Sequence, residues 1–373
     1  MGKKRLAFII QGGIGTGHFD EGVPVLNSFI QRIAVSHQVT VFSLHPVNPG
    51  FSSPHFRVLS PAIQKSTLGR LVWLLLKFRE ANASGQFQIV HAICGYHSGF
   101  FGAILKKLFR IPLIIHLQGA DAVSIPEVEY GVFFRKKIAR LAKFAYGQAD
   151  HLVVLSHYQK RRLSAYYSER APSVIPFGVD YAQLATLHKK KLQEPYQLLH
   201  VAHINRVKDQ KTLLDAFKII RSKIEGELTW IGEDTLDGEL QYYAKKIGVA
   251  NSVRFEGFKQ HHEVMNAYVK AHILLHTSLY EGQAVTVLEG IASGLVVCGT
   301  DVGILSDLSS AHTLVSPVGD SEALAKNVLN ILSAPGDFET RVAAGHQYAK
   351  TYDLEWTVGQ FEELYDQSMN KLV

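Results

Sequence analysis

Short apolar runs alternate with amphipathic stretches along this chain, and the alternation starts twice. Residues 6–10, 39–44, 88–92, 113–117 and 152–155 are brief, rich in Ile, Val and Leu, and bounded by turn residues. That is the pattern of strands buried on both faces. Segments 25–34 and 133–146 between them read as helices. Strands joined through helices imply a parallel sheet covered on both sides. A turn-rich exit, IPFGVD at 175–180, and a polar stretch, HKKKLQEP at 188–195, interrupt the pattern. It then resumes with strands at 197–201, 228–231, 253–255, 273–276 and 295–298, separated by helices at 212–224, 238–248, 285–293 and 322–332. The expected class is α/β: two doubly wound domains, 1–185 and 195–352, facing across a cleft. Ligands of such sheets bind beyond the carboxyl ends of the strands, which makes that cleft the expected site.

Two sheets of this size use nearly all of the 373 residues and leave little for a third domain. The two cysteines, Cys94 and Cys298, form neither a disulfide framework nor a zinc set, which points to a reducing compartment. The first apolar run ends at Ile10, too early for a signal peptide. The densest one, LVWLLL at 71–76, is far short of the about 20 residues of a membrane span. The expected location is the cytoplasm, free or attached to the cytoplasmic face of a membrane. Charge is unevenly divided. Residues 1–180 hold 21 Lys and Arg against 9 Asp and Glu, a balance of +12, whereas 181–373 hold 18 against 24, or −6. The whole chain carries +6, so the first domain holds all the excess. Such a split suggests an anionic partner for that domain.

The first strand ends in QGGIGTG at 11–17. Gly12 and Gly13 allow a tight turn and a close backbone approach to phosphate. No Gly-Lys-Ser/Thr follows, so this is not a nucleotide-triphosphate P-loop. The spacing is wrong for a dinucleotide fingerprint, and the second strand ends FSLH without a carboxylate, which disfavours NAD. The remaining reading is a glycine loop lining the cleft, followed by His18.

The strongest local signal is YEGQAVTVLEGIASGLVV at 280–297. Glu281 follows a strand in a loop, and Glu289 lies eight residues on, in a helix expected to begin near Ala284 or Val285. Such a turn aims free N–H groups at an anion, while carboxylates accept hydrogen bonds from vicinal hydroxyls. Two carboxylates flanking a helix start therefore suit a sugar–diphosphate ligand. His261 and His262 lack a further ligand set and are read as a helix cap or a solvated pair, and Asp234 with Asp237 as a helix start rather than a metal site.

This segment resembles the signature of glycosyltransferase family 4, retaining enzymes of the GT-B fold with two Rossmann-like domains. The resemblance extends to VAHINRVKDQKTLLDAF at 201–217, WIGED at 230–234, VRFEGF at 253–258, PFGVD at 176–180, SPVGDSEAL at 316–324 and the stretch around EWT at 355–357. It implies an acceptor-side domain at 1–185 and a nucleotide-sugar domain at 195–352. A terminal helix, 353–373, would cross back to the first. Glu281 would contact the donor sugar, Glu289 the donor ribose and Lys208 the diphosphate. His203 stands where the family's arginine is usual, and Arg206 nearby is the expected substitute. Backbone near Gly257 and Phe258 would read the base. The family's usual His-Gly becomes IHLQGAD at 115–121, with His116 and Gln118 as the groups near the sugar. His116 is the expected catalytic residue on the first domain. No Asp-x-Asp occurs, and no metal or cofactor is expected; a UDP- or GDP-linked sugar is the substrate.

The helix at 133–146 gathers Arg135, Lys136, Arg140 and Lys143 on one arc, uninterrupted by acids. Lys106, Lys107, Arg110, Arg161 and Arg162 could extend it. This arc suits anionic lipid or a lipid-linked acceptor. Nucleic acid is disfavoured, because no recognition motif or stacking platform accompanies the charge. The expected activity is glycosyl transfer from a nucleotide-diphosphate sugar to an acceptor such as a lipid-linked or polysaccharide precursor. The alternatives are an epimerase or phosphorylase on the same fold, and a non-catalytic sugar-binding protein.

Overall fold

The computed structural model describes residues 3–20, 22–185 and 192–370, so 188–191 of the expected linker lie outside the described residues. The chain forms two compact units, 1–177 with 355–373, and 178–354.

The first unit is built on seven parallel strands: β1 (Arg5–Ile10), β2 (Gln38–Ser43), β3 (Arg57–Leu59), β4 (Ile89–Ile93), β5 (Leu113–His116), β6 (His151–Val154) and β7 (Ser173–Val174). Their order is β3-β2-β1-β4-β5-β6-β7. In the central pairings Phe8 lies opposite Val41 on one side and His91 on the other. Helices α1 (Pro24–Ser36), α2 (Thr67–Ala83), α3 (Phe100–Phe109), α4 (Lys136–Gln148) and α5 (His157–Ser164) cover the sheet. The chain order reverses between β1 and β4, which opens a crevice at the carboxyl ends of these strands.

The second unit repeats the plan with β8 (Tyr196–Val201), β9 (Gly226–Ile231), β10 (Val253–Gly257), β11 (Ile273–His276), β12 (Val296–Thr300) and β13 (Thr313–Ser316), ordered β10-β9-β8-β11-β12-β13. Its helices are α6 (Tyr181–Ala185), α7 (Gln210–Arg221), α8 (Glu239–Ile247), α9 (His261–Lys270), α10 (Val285–Ala292), α11 (Ile304–Asp307), α12 (Ser321–Leu332) and α13 (Pro335–Thr351). Leu213, Phe217, Leu240 and Val328 pack on one side of the sheet, and Val264, Tyr268, Leu288 and Ile291 on the other. Both faces are thus buried, which is why these strands read as continuous apolar runs.

The last helix, α14 (Leu354–Asn370), has all but its first residue in the first unit. It buries Phe361 and Tyr365 there. Tyr365 Oη lies 2.9 Å from His91 Nδ1, and Lys4 and His37 pair with Asp366 and Glu362 at 2.9 and 2.7 Å.

Ten strands fall where the sequence places them. The other three, β3, β7 and β13, have two to four residues and lie at a sheet edge. An edge strand has one neighbour and need not be apolar on both faces, so it leaves little pattern to read.

Candidate functional site

The carboxyl ends of β8 and β11 are neighbours in the second sheet, and their loops bring Lys208 and Glu281 together. Lys208 Nζ lies 2.5 Å from Glu281 Oε1. Ser278 donates to the same oxygen at 2.6 Å, and His276 Nε2 stands 3.3 Å from it. Oε2 takes part in none of these contacts. Burial alone would raise the Glu281 pKa, but the Lys208 charge and the His276 hydrogen bond outweigh it and hold the carboxyl well below its usual range. Glu281 is therefore a fixed, ionised carboxylate with one oxygen engaged by the protein.

The loop carrying it is pinned on both sides. Leu279 N donates to Val207 O at 2.8 Å and Thr277 Oγ1 to Lys208 O at 3.0 Å. On the other side Thr300 Oγ1 donates to Ser278 O at 2.7 Å and Ile304 N to Gln283 O at 2.8 Å. Gly303 makes the second contact possible: a Cβ there, at φ +57°, would lie 2.7 Å from Glu281 Cβ. Ala284 then takes φ +73°, a left-handed conformation costing a non-glycine about 1 kcal/mol, and turns the chain into α10. Beneath the β8 loop, His200 donates from Nδ1 to Leu275 O at 2.9 Å and accepts from Gln210 at 3.2 Å. Gln210 also donates to His203 O at 2.9 Å and accepts from Asn205 N at 3.2 Å. Burial lowers the His200 pKa to about 3, so its ring is neutral and can do both.

Glu289 lies on α10 and is nine-tenths buried. His261 Nε2 is 2.9 Å from its Oε1, and Tyr268 donates to Oε2 at 2.9 Å. Burial and the adjacent carboxylate keep the Tyr268 phenol protonated, so it acts as donor. His261 is thus tied to Glu289 rather than being a solvated residue. His261 and Tyr268 are seven apart on α9, two helical turns, and so share one face. That spacing is the sequence signal that could have revealed them. His276 and Ser278 carried a weaker one, as polar residues closing an apolar strand.

Other expected residues are dispersed. Arg206 is exposed and pairs with Glu239 at 3.3 Å. Gly257, at φ +68°, ends β10 and accepts from Gly232 N at 2.9 Å, with Phe258 next in the chain. Gly12 and Gly13 follow β1 in the first unit, where Gly13 O accepts from Val23 N at 2.8 Å. His116 does not reach an open surface. It is 0% exposed, packs against Phe177 and Phe361, and among the described residues neither ring nitrogen has a hydrogen-bond partner. Burial takes its pKa down to about 3. In this arrangement it is a neutral core side chain, because β5 turns that residue toward the α1–α14 layer. Gln118 is half-buried, its amide folded back to donate to His116 O and Leu117 O at 3.3 and 3.2 Å.

Sequence comparison assigns residues 24–178 to the glycosyl transferase 4-like domain and residues 186–350 to glycosyl transferases group 1. An uncharacterized glycosyltransferase of Methanocaldococcus jannaschii is 24% identical over 282 residues, 75% of this chain and 75% of that protein. Among solved structures, sucrose-phosphate synthase from Thermosynechococcus elongatus superposes with a TM-score of 0.82 at 19% identity, covering 98% of this chain and 99% of that one. HepE of Anabaena, in complex with UDP, gives 0.76 at 17% identity over 97% and 100%. These structural likenesses establish the two-unit α/β architecture as the GT-B fold.

Proposed function

The chain belongs to the GT4-type glycosyltransferases, and we propose that it moves a sugar, with retention, from a nucleotide-diphosphate donor to an acceptor held by the first unit. The observation that carries this reading is the largely buried Glu281, ionised and fixed by Lys208, Ser278 and His276, one turn of chain before α10. Glu281 Oε2 would accept from donor-sugar hydroxyls. Lys208 and the N-terminal end of α10 would face the diphosphate, whose negative charge grows as its bond to the sugar breaks. Glu289, oriented by Tyr268 and His261, would accept from ribose hydroxyls, and backbone at Gly257 and Phe258 would meet the base. In the step itself the C1–oxygen bond to diphosphate breaks while the acceptor oxygen bonds C1 on the same face. The acceptor proton passes to the departing diphosphate oxygen, so no protein base is required, consistent with a buried His116. Positive charge comes from the chain's own groups, which makes the reading metal-independent.

The UDP complex of HepE supports a uridine donor, with GDP as the other base to test. In a thermal-shift panel of nucleotide sugars, one donor should raise the melting temperature through RT ln(1 + [L]/Kd), about 3 kcal/mol at a hundredfold excess over Kd. A panel without any stabilising member would overturn the donor assignment. Tyr268→Phe should raise the KM for that donor about fivefold with kcat nearly unchanged, since it weakens the hold on Glu289 by one charged hydrogen bond of about 1 kcal/mol. A fall in kcat at constant KM would remove Glu289 from ribose binding.

For the acceptor, we favour a lipid-linked precursor on the cytoplasmic face of a membrane. Lys136, Lys137, Arg140 and Lys143 are all exposed on α4, and Lys107 Nζ sits 4.8 Å from the centre of the half-exposed Phe144 ring. A basic face with an aromatic anchor suits anionic headgroups. Among the described residues no helix is long and apolar enough to cross a membrane.

A further inference from the structure

Arg70 is out of place by every local rule. It lies in the first turn of α2, where the helix dipole disfavours a cation, and no acid occupies that turn. It is only 8% exposed, yet among the described residues no carboxylate pairs with it. Nη1 donates to His45 Nε2 at 2.8 Å and Nη2 to Thr67 Oγ1 at 3.3 Å, while Nε is buried without a partner. A buried charge left unpaired is costly, and proteins rarely tolerate it without a counter-ion.

The surroundings supply more donors. A guanidinium can only donate, so His45 Nε2 accepts and its Nδ1 carries the hydrogen, beside Gly12 in the loop after β1. Burial and the Arg70 charge lower the His45 pKa and keep the ring neutral. His97 follows β4 at φ +45°, next to Cys94 at φ +81°, and its Nδ1 is buried and unpartnered. Burial lowers its pKa to about 4, with smaller contributions from Arg70 and His45, which places it in their neighbourhood. The left-handed segment is held by the buried Asp121 carboxylate, which accepts from the N–H groups of Gln118, Gly95 and Tyr96. Arg70, His45 and His97 thus converge at the carboxyl ends of β1, β2 and β4, the switch point of the first sheet.

We propose that this is an oxyanion subsite, and that the acceptor carries a phosphate group bound on Arg70, which His45 positions, with His97 as an additional donor. Assigning the phosphate to the acceptor rests on the transferase reading, in which the donor belongs to the second unit; the subsite itself does not. The phosphate could belong to a soluble phosphorylated acceptor or to a lipid headgroup. Leu68, Val72 and Leu76, exposed along the outer face of α2, make the lipid arm worth testing.

The test uses the full chain saturated with UDP, so that the donor diphosphate position is filled. Inorganic phosphate and sn-glycerol 3-phosphate are titrated calorimetrically, and phosphatidate vesicles are compared with phosphatidylcholine vesicles by co-sedimentation. Phosphate should bind wild type and bind Arg70→Met about ten- to a hundredfold more weakly. Without phosphate, Arg70→Met should melt at or above the wild-type temperature, because it removes an uncompensated charge; a merely structural arginine would give a lower one. Selective binding of phosphatidate vesicles identifies a lipid source, and binding of glycerol phosphate alone a soluble one. Equal phosphate affinity in both proteins, or a destabilised Arg70→Met, overturns the subsite. UDP binding is scored separately with Lys208→Met: if UDP fails to bind but the Arg70-dependent phosphate site remains, the donor reading fails and the subsite stands.

Discussion

Glu281→Gln should lower turnover by about 10²- to 10³-fold, the range seen when one preorganised charge contact at a reacting centre is removed. The amide keeps the shape but loses the charge that holds Lys208 at 2.5 Å and the acceptor strength offered to sugar hydroxyls. Stability should also fall, since Lys208 is left as a largely buried, unpaired cation. These two effects can be separated. Lys208→Met with Glu281→Leu removes both charges and should recover much of the lost stability without recovering activity. If the Glu281–Lys208 pair served only the fold, the double variant would regain turnover in step with stability. Transfer by Glu281→Gln within about fivefold of wild type would show that Glu281 is not part of the transfer machinery.

Acid should destabilise both units well before general carboxylate protonation. His91, His116 and His200 are fully buried, and burial sets each folded pKa below the ordinary 6.5, to about 3 for His116 and His200. Below pH 6.5 the unfolded chain binds protons that the folded chain refuses, so stability falls as pH drops. Asp121 works the other way. Burial raises its pKa from 3.8 to about 6, so the folded chain takes up the extra proton and gains stability as pH drops through 6. In the first unit His91 and His116 against Asp121 leave a net of one proton, with His45 and His97 adding to the loss. In the second unit His200 and His312 lower stability as pH drops, Asp209, whose pKa burial raises, offsets part of that loss, and Glu281, with its depressed pKa, adds to it below about 4.5. Near pH 5 the first unit should therefore lose at least about 1 kcal/mol per pH unit. His116→Phe should flatten the urea-midpoint dependence of the first unit by about one proton, and Asp121→Asn should steepen it by as much. Equal midpoints at pH 7 and pH 5 would contradict neutral burial of these rings. His116→Phe should also retain transfer activity, which distinguishes a core ring from a catalytic one.

What could be read from sequence followed from local patterning. Continuous Val- and Ile-rich runs identify strands buried on both faces, and their alternation with helices makes the sheets parallel. Glu281, Glu289 and Lys208 stood out because each lies in a distinctive local segment near the end of a strand, and the roles proposed for them came from the family resemblance. Their partners were not. Nothing local joins His276 and Ser278 to Lys208, some seventy positions away. Tyr268 and His261 meet Glu289 only once α9 and α10 lie on the same face of the second sheet. His116 shows the opposite failure: a histidine at a strand end beside a family motif reads as functional, yet the side to which β5 turns it is set by packing against Phe177 and Phe361.

The division has a physical basis. Alternation and turn chemistry act over ten or twenty residues, so the sequence by itself determined two doubly wound sheets. The charge state and reach of a side chain depend on what surrounds it. Only the tertiary structure, by setting β8 beside β11 and burying Arg70 with no carboxylate partner among the described residues, decided which carboxylate is fixed and ionised and where a guanidinium is enclosed.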